Sequence, residues 1–257
     1  MSPPDVLAIL CGAAVGLVLA VIGGGGSILA TPLLLYVVGV ANPHVAIGTS
    51  ALAVSVNAFA NFVNHARRGN VRWRCALVFA AAGVTGAAIG ASVGKQTDSH
   101  VLLPLFAVLM VVVGFHMLGR REHEGDGDVR LSRENAPRLI AYGLGVGALS
   151  GFFGIGGGFL IVPGLIGATG MTMLQAVGSS LFSVGTFGAT TAASYAFDNL
   201  IDWRVALLFI GGGLIGGAIG ASFATHLSKQ RGALQRVFAG VVFAVAAYML
   251  YRSFIAA

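Results

Sequence analysis

The chain has 257 residues, of which 56% are hydrophobic and 9% are charged, and its formal net charge is +6. A soluble domain carries about a quarter charged residues, so this composition excludes an ordinary soluble protein. The basic residues are spread over loops, which argues against nucleic-acid binding and instead predicts a membrane orientation. The two cysteines fall in apolar segments and indicate neither a disulfide framework nor a metal site. We expect no cofactor.

Long apolar segments separated by short polar loops predict an all-α polytopic membrane protein in a lipid bilayer. The first half contains five such segments, at residues 6–22, 27–40, 45–65, 73–94 and 101–118. The last three have roughly the 20 residues that span a bilayer, and the first two are shorter. The start of the chain has no basic n-region, so we expect no cleaved signal peptide.

A glycine-rich stretch followed by proline occurs twice. Residues 23–34 read GGGGSILATPLL and residues 154–165 read GIGGGFLIVPGL. Each glycine run is expected to interrupt a helix, which starts again near Gly26 in the first copy and near Gly157 in the second. Helices broken in corresponding positions of two membrane halves point to a transport site.

The two halves are an internal duplication. Between residues 73–94 and 203–224, 12 of 22 aligned residues are identical at a constant offset of 130. At the same offset, GTS at residues 48–50 aligns with GSS at residues 178–180. The predicted organisation is a first repeat at 1–118, a cytoplasmic linker at 119–137 and a second repeat at 138–257.

Loop charges predict how the repeats are oriented. The loop before Trp73 carries Arg67, Arg68 and Arg72, whereas the loop before Trp203 has no base, and the bias reverses at the other ends of these two helices. Because lysine and arginine mark cytoplasmic loops, the repeats are expected to be inverted, with both termini outside. Each repeat then has a glycine-broken pair of short helices, either re-entrant or spanning, plus three transmembrane helices. A single broken helix per half would instead make the repeats parallel.

The broken helices and the polar residues after them predict a site for a small anion. A helix N-terminus offers free N–H groups and a partial positive charge, and glycine lets a ligand approach the backbone closely. The expected substrate-binding residues are Gly25, Gly26, Ser27, Thr49, Ser50, Asn57, Asn61, Gly156, Gly157, Gly158, Ser179, Ser180 and Ser183. The alternative is that the glycines only permit close packing of helices. All nine acids lie in loops or at segment ends, so we expect no buried carboxylate relay.

Small residues spaced by four positions recur in the fourth segment of each half. Gly86, Gly90 and Gly94 follow this pattern, as do Gly216 and Gly220. Such patterns let membrane helices approach closely, so we expect these glycines to form helix contacts.

The duplicated glycine-proline stretch, the GTS and GSS helix starts and the Trp-Arg pair at 73–74 and 203–204 resemble the TauE/SafE sulfite exporter family. The string SGFFGIGGG at residues 150–158 is the most specific part of the resemblance, and the first copy departs from it with AVIGG at 20–24. The resemblance implies transport of sulfite, sulfoacetate or related organosulfonates across the bacterial inner membrane.

Other classes of function remain as alternatives. An intramembrane serine hydrolase is not expected, because Leu149 breaks the G-x-S-G spacing before Ser150 and no histidine lies in that half's membrane core to act as a base. An anion channel or facilitator for another carboxylate or oxyanion, or a non-transporting accessory subunit, is compatible with the same pattern. The glycine-rich surfaces also permit a homodimer.

Overall fold

The computed structural model describes residues 3–97, 129, 131–153 and 158–227, with isolated positions from 105 to 115 and from 236 to 251. Every regular element with defined bounds in this part is a helix, as the composition predicts. The α-helices are α1 (Pro3–Ile22), α2 (Ala30–Leu33), α3 (Pro43–Arg67), α4 (Trp73–Gly94), α5 (Ala136–Phe153), α6 (Gly158–Thr169), α7 (Met173–Phe197) and α8 (Trp203–Leu227). The predicted segment at 101–118 and most of the linker at 119–137 lie outside the described residues.

Helix boundaries follow local chemistry. The Asn42 side chain accepts a hydrogen bond from the His44 N–H at 2.9 Å, and Pro43 occupies the first turn of α3. Thr172 caps α7 in the same way, through the Gln175 N–H. Side-chain acceptors at these positions satisfy N–H groups that a helix start leaves unpaired.

Among the described residues, four helices are long and apolar enough to cross a membrane. These are Pro3–Ile22, Pro43–Arg67, Trp73–Gly94 and Trp203–Phe223. The expectation that the first segment is short is wrong, since α1 has 20 residues and is therefore about 30 Å long. It extends further because proline is tolerated in a first helical turn, so Pro3 and Pro4 belong to the helix. The stretch that follows it, Gly26–Val38, is apolar but shorter than these four helices.

Two outer helix pairs pack with almost no separation. Gly12 and Gly16 of α1 face Phe209 and Gly213 of α8, and a methyl group on either α1 glycine would overlap the facing backbone. From Gly12 to Gly16 the contact moves four residues forward along α1, and from Phe209 to Gly213 it moves four residues forward along α8. The two helices therefore run parallel. Helices α4 and α5 form the equivalent parallel pair. The five glycines predicted to form helix contacts all do so, namely Gly86, Gly90, Gly94, Gly216 and Gly220.

The two central helices, α3 and α7, contact each other in antiparallel orientation. Gly48, near the start of α3, lies against Leu200, just beyond the end of α7. Midway along α3, the Ser55 hydroxyl donates to the Gly185 carbonyl at 2.7 Å. Residues 55 and 185 are equivalent at the offset of 130, so the two halves meet around this contact.

Apolar side chains cover the outside of the outer pairs. Leu10 of α1 is 60% exposed, Ile89 of α4 is 65% exposed and Leu207 of α8 is 68% exposed. Polar side chains of α3 and α7, in contrast, are buried between the helices. Apolar side chains therefore face outward and polar side chains face inward, which is the distribution expected of a protein surrounded by lipid.

Candidate substrate site

The first glycine stretch does not start an α-helix at Gly26, and that prediction is wrong. Residues Gly23–Leu29, which include Gly25, form a 3-10 helix, and an α-helical turn and a π-helical turn follow up to Val38. The chain turns at Gly23, whose φ is +70°, a conformation that favours glycine. Gly26 then lies against α1, with its Cβ position 2.5 Å from the Leu19 Cα atom.

The second glycine stretch is described only in part. Residues 154–157, which include Gly156 and Gly157, lie outside the described residues, and the described part of α6 runs from Gly158 to Thr169. A helix restart near Gly157 therefore stays a prediction. The 3-10 helix of the first half contacts α6.

Equivalent serines of α3 and α7 hold the first glycine stretch. The hydroxyls of Ser50 and Thr31 are 2.8 Å apart, and the Gly24 N–H donates to the Ser180 hydroxyl at 3.2 Å. Ser27 is fully buried, and its hydroxyl donates back to the Gly24 carbonyl at 2.8 Å. Thr31 was not among the predicted residues, although a hydroxyl directly before the proline of the motif was a usable signal.

The neighbouring hydroxyls, Thr49 and Ser179, bond to the opposite half. The Asp202 N–H donates to the Thr49 hydroxyl at 2.9 Å, and the Arg72 N–H donates to the Ser179 hydroxyl at 2.9 Å. These contacts are equivalent in the repeat and attach each loop to a central helix. Of the GTS and GSS starts, only the final serine therefore bonds to a glycine stretch.

The predicted amides lie about two and three helical turns further along α3 on the same face as Ser50. Asn57 is fully buried beside Gly213 of α8, and Asn61 donates to the Asn57 backbone carbonyl at 3.0 Å. Within the described part of the chain, neither atom of the Asn57 side-chain amide has a hydrogen-bond partner. An unsatisfied buried polar group costs about 1–3 kcal/mol, so its retention requires a reason.

Unpartnered hydroxyls accompany this amide. Ser183, one turn beyond Ser180, is fully buried and makes no hydrogen bond to any described residue. The same holds for Thr191 and Ser150, which were not predicted to bind substrate. Thr191 is the repeat equivalent of Asn61, so the offset of 130 could have identified it.

The centre of the molecule is polar but nearly free of charge. Among the buried residues that the structure describes, Asp5 carries the one carboxylate, and it is paired with Arg204 at 2.7 Å near the start of α1. No group of three or more metal-ligating residues is found within that part of the chain. Dipoles of hydroxyls, amides and backbone N–H groups therefore supply the electrostatics of the site.

Comparison with known proteins agrees with this picture. The model of the sulfite exporter TauE/SafE family matches residues 8–249. A probable membrane transporter protein of Xylella fastidiosa strain 9a5c is 52% identical over 94% of this chain and 93% of its own length. The probable membrane transporter protein YunE of Bacillus subtilis is 27% identical over 84% of this chain and 87% of its own length. No solved structure matches the chain significantly. The chain therefore belongs to the TauE/SafE family of membrane transporters.

Proposed function

We propose that the protein is a secondary transporter of small sulfur-containing anions, namely sulfite, sulfoacetate or related organosulfonates. The observation that carries this proposal is the set of buried polar groups of α3 and α7 that have no hydrogen-bond partner among the described residues. Asn57 and Ser183 offer donors that a bound oxyanion would satisfy, and the glycine stretch before α6 is proposed to add backbone N–H groups.

A substrate site lined without charged side chains favours anions with a single negative charge. Because the cost of desolvating an ion rises with the square of its charge, a site made of dipoles accepts one negative charge far more readily than two. Within the proposed class, protonated sulfite and simple sulfonates should be preferred over sulfoacetate and sulfate. A substrate that carries its own proton also needs no buried carboxylate for coupling.

The proposed mechanism is alternating access between inverted repeats near the membrane midplane. The antiparallel contact of α3 with α7 supports inversion, because two equivalent helices related by an axis across their length have opposite orientations in a bilayer. The protein would lie in the bacterial inner membrane with the linker at 119–137 in the cytoplasm, as the arginines of the loop at 67–72 suggest.

Equivalent exposed positions allow the inversion to be tested. Arg67 and Phe197 are related by the offset of 130 and are both exposed, at the ends of α3 and α7. Single cysteines at these positions, with the buried Cys11 and Cys75 replaced by alanine, should react with a membrane-impermeant maleimide from opposite sides of oriented vesicles. Labelling of both from the same side would refute inversion.

The transport proposal is tested by counterflow in proteoliposomes that contain only this protein. Labelled sulfite outside should accumulate when unlabelled sulfite or methanesulfonate is inside, and less so with sulfoacetate or sulfate. Sulfite counterflow should rise as the pH falls and the singly charged form increases, whereas methanesulfonate counterflow should stay constant. Passive flux without accumulation would indicate a channel, and no flux with any of these anions would refute the proposed substrate class.

A further inference from the structure

A cavity lies away from the central site, where the loop before α4 meets the linker. Its volume is about 370 Å³, which falls in the range of small-molecule sites. The lining residues are Val71, Arg72, Trp73, Arg74, Cys75, Val129 and Leu131. Val71, Cys75 and Val129 are buried and form apolar walls, and Arg72 and Arg74 are the charged residues among the described lining.

The two arginines of this cavity have no acidic partner among the residues that the structure describes. Within the described parts of the chain, neither Arg72 nor Arg74 forms a salt bridge, and the Arg72 Nε atom is buried without a hydrogen-bond partner. The Arg72 backbone N–H already donates to Ser179, so the side chains rather than the helix end remain available. Two adjacent guanidinium groups with unused donors match the oxygens of a tetrahedral anion.

The equivalent place in the second half is built differently. Arg204 is the repeat equivalent of Arg74, and it is paired with Asp5 at 2.7 Å. Asp202 stands where the first half has Arg72, and its carboxylate accepts a hydrogen bond from the Val205 N–H at 3.0 Å. Within the described residues, the same helix start therefore has acidic partners in the second half and two arginines without a salt bridge in the first.

We propose that this cavity binds a phosphate group, either of an anionic phospholipid headgroup or of free phosphate. Arg72 and Arg74 hold the phosphate oxygens through their guanidinium forks, and Val129 and Leu131 of the linker close the apolar side. Trp73 lies between them in the sequence and is 53% exposed, as is typical of a tryptophan at a membrane interface. The linker thus completes an anion site separate from the transport site.

Tryptophan fluorescence tests this site directly. The chain has two tryptophans, so the Trp203→Phe variant reports on Trp73 alone. In detergent, it is titrated with inorganic phosphate, with short-chain phosphatidylglycerol and with short-chain phosphatidylcholine. A saturable change with phosphatidylglycerol but not with phosphate or phosphatidylcholine identifies a lipid headgroup site, and a saturable change with phosphate identifies a free phosphate site.

Variants separate this site from general surface charge. Arg72→Gln with Arg74→Gln should weaken binding by about tenfold or more, since charge-assisted bidentate hydrogen bonds are lost. Arg67→Gln removes one positive charge from an exposed position outside the cavity and should leave binding unchanged. The double lysine variant keeps the charge and the fold and should bind with intermediate affinity. No response to phosphate or phosphatidylglycerol, or equal weakening in Arg67→Gln and the double glutamine variant, would overturn the proposal.

Discussion

The outer helix pairs and the central helices differ in how closely the two halves of the chain correspond. In the outer pairs, Gly16 of α1 faces Gly213 of α8, and the equivalent glycines Gly147 of α5 and Gly83 of α4 face each other in the same way. In the centre, the equivalents diverge: Asn57 corresponds to Phe187, Asn61 to Thr191 and His65 to Tyr195. The duplicated scaffold is retained and so are the hydroxyls at the starts of α3 and α7, whereas the amides of α3 are not duplicated in α7.

The physical reason is that the two regions are constrained differently. Where backbones touch, no side chain larger than hydrogen fits, so both halves need glycine. Where side chains fill the space between α3 or α7 and the outer helices, different residues are compatible with the same backbone. Phe187 fills its space by stacking on Phe79 at 6.3 Å, while Asn57 places an amide in the equivalent space. The two half-sites are therefore chemically unequal, and the first supplies the amides.

The largest effect is expected from breaking a part that the halves share. In Gly147→Leu the new side chain would overlap the Gly83 backbone and push α4 and α5 apart, which should lower the free energy of unfolding by about 3 kcal/mol. Gly145→Leu is the matched control, because this glycine lies two residues away on the same helix and faces open space. Thermal unfolding followed by size-exclusion chromatography would compare them, and equal melting temperatures would contradict the account.

A smaller effect on transport is expected from the central hydroxyls. Ser183→Ala removes one donor from the proposed substrate site and should reduce sulfite counterflow about tenfold or more, since one hydrogen bond to a charged group contributes about 1.5–3 kcal/mol. Ser92→Ala is the control, because that hydroxyl is exposed and bonds within its own helix to Ala88. Equal counterflow in the two variants would remove Ser183 from the site.

The smallest effect is expected where both halves use equivalent hydroxyls for structure. Thr49→Ala and Ser179→Ala each remove one hydrogen bond between a loop and a central helix and should cost about 1 kcal/mol of stability. Because the two contacts are equivalent, the two losses should be similar, and counterflow at low temperature should be unaffected. Loss of transport without loss of stability in either variant would mean that this hydroxyl contacts substrate instead.

Much of this architecture could be predicted from the sequence, because composition and the offset of 130 report directly on membrane class and duplication. The close helix contacts were also accessible, since a glycine repeated every four residues has few other uses in a membrane helix. The conformation of the first glycine stretch could not be predicted from the sequence, because four consecutive glycines permit a 3-10 helix as readily as a break in the helix. Which hydroxyls face the centre also depended on the rotation of α3 and α7. This separates Ser50 from Thr49 although they are adjacent.

The central claim is that unpartnered polar groups at the centre bind the transported anion, and Asn57→Leu tests it most directly. Leucine has a similar size and removes the unsatisfied amide, so the melting temperature should stay the same or rise. Sulfite counterflow in the same preparation should fall at least tenfold. That combination, unchanged or higher stability with lost transport, is the predicted result. Full counterflow by a stable Asn57→Leu protein would contradict the proposed site.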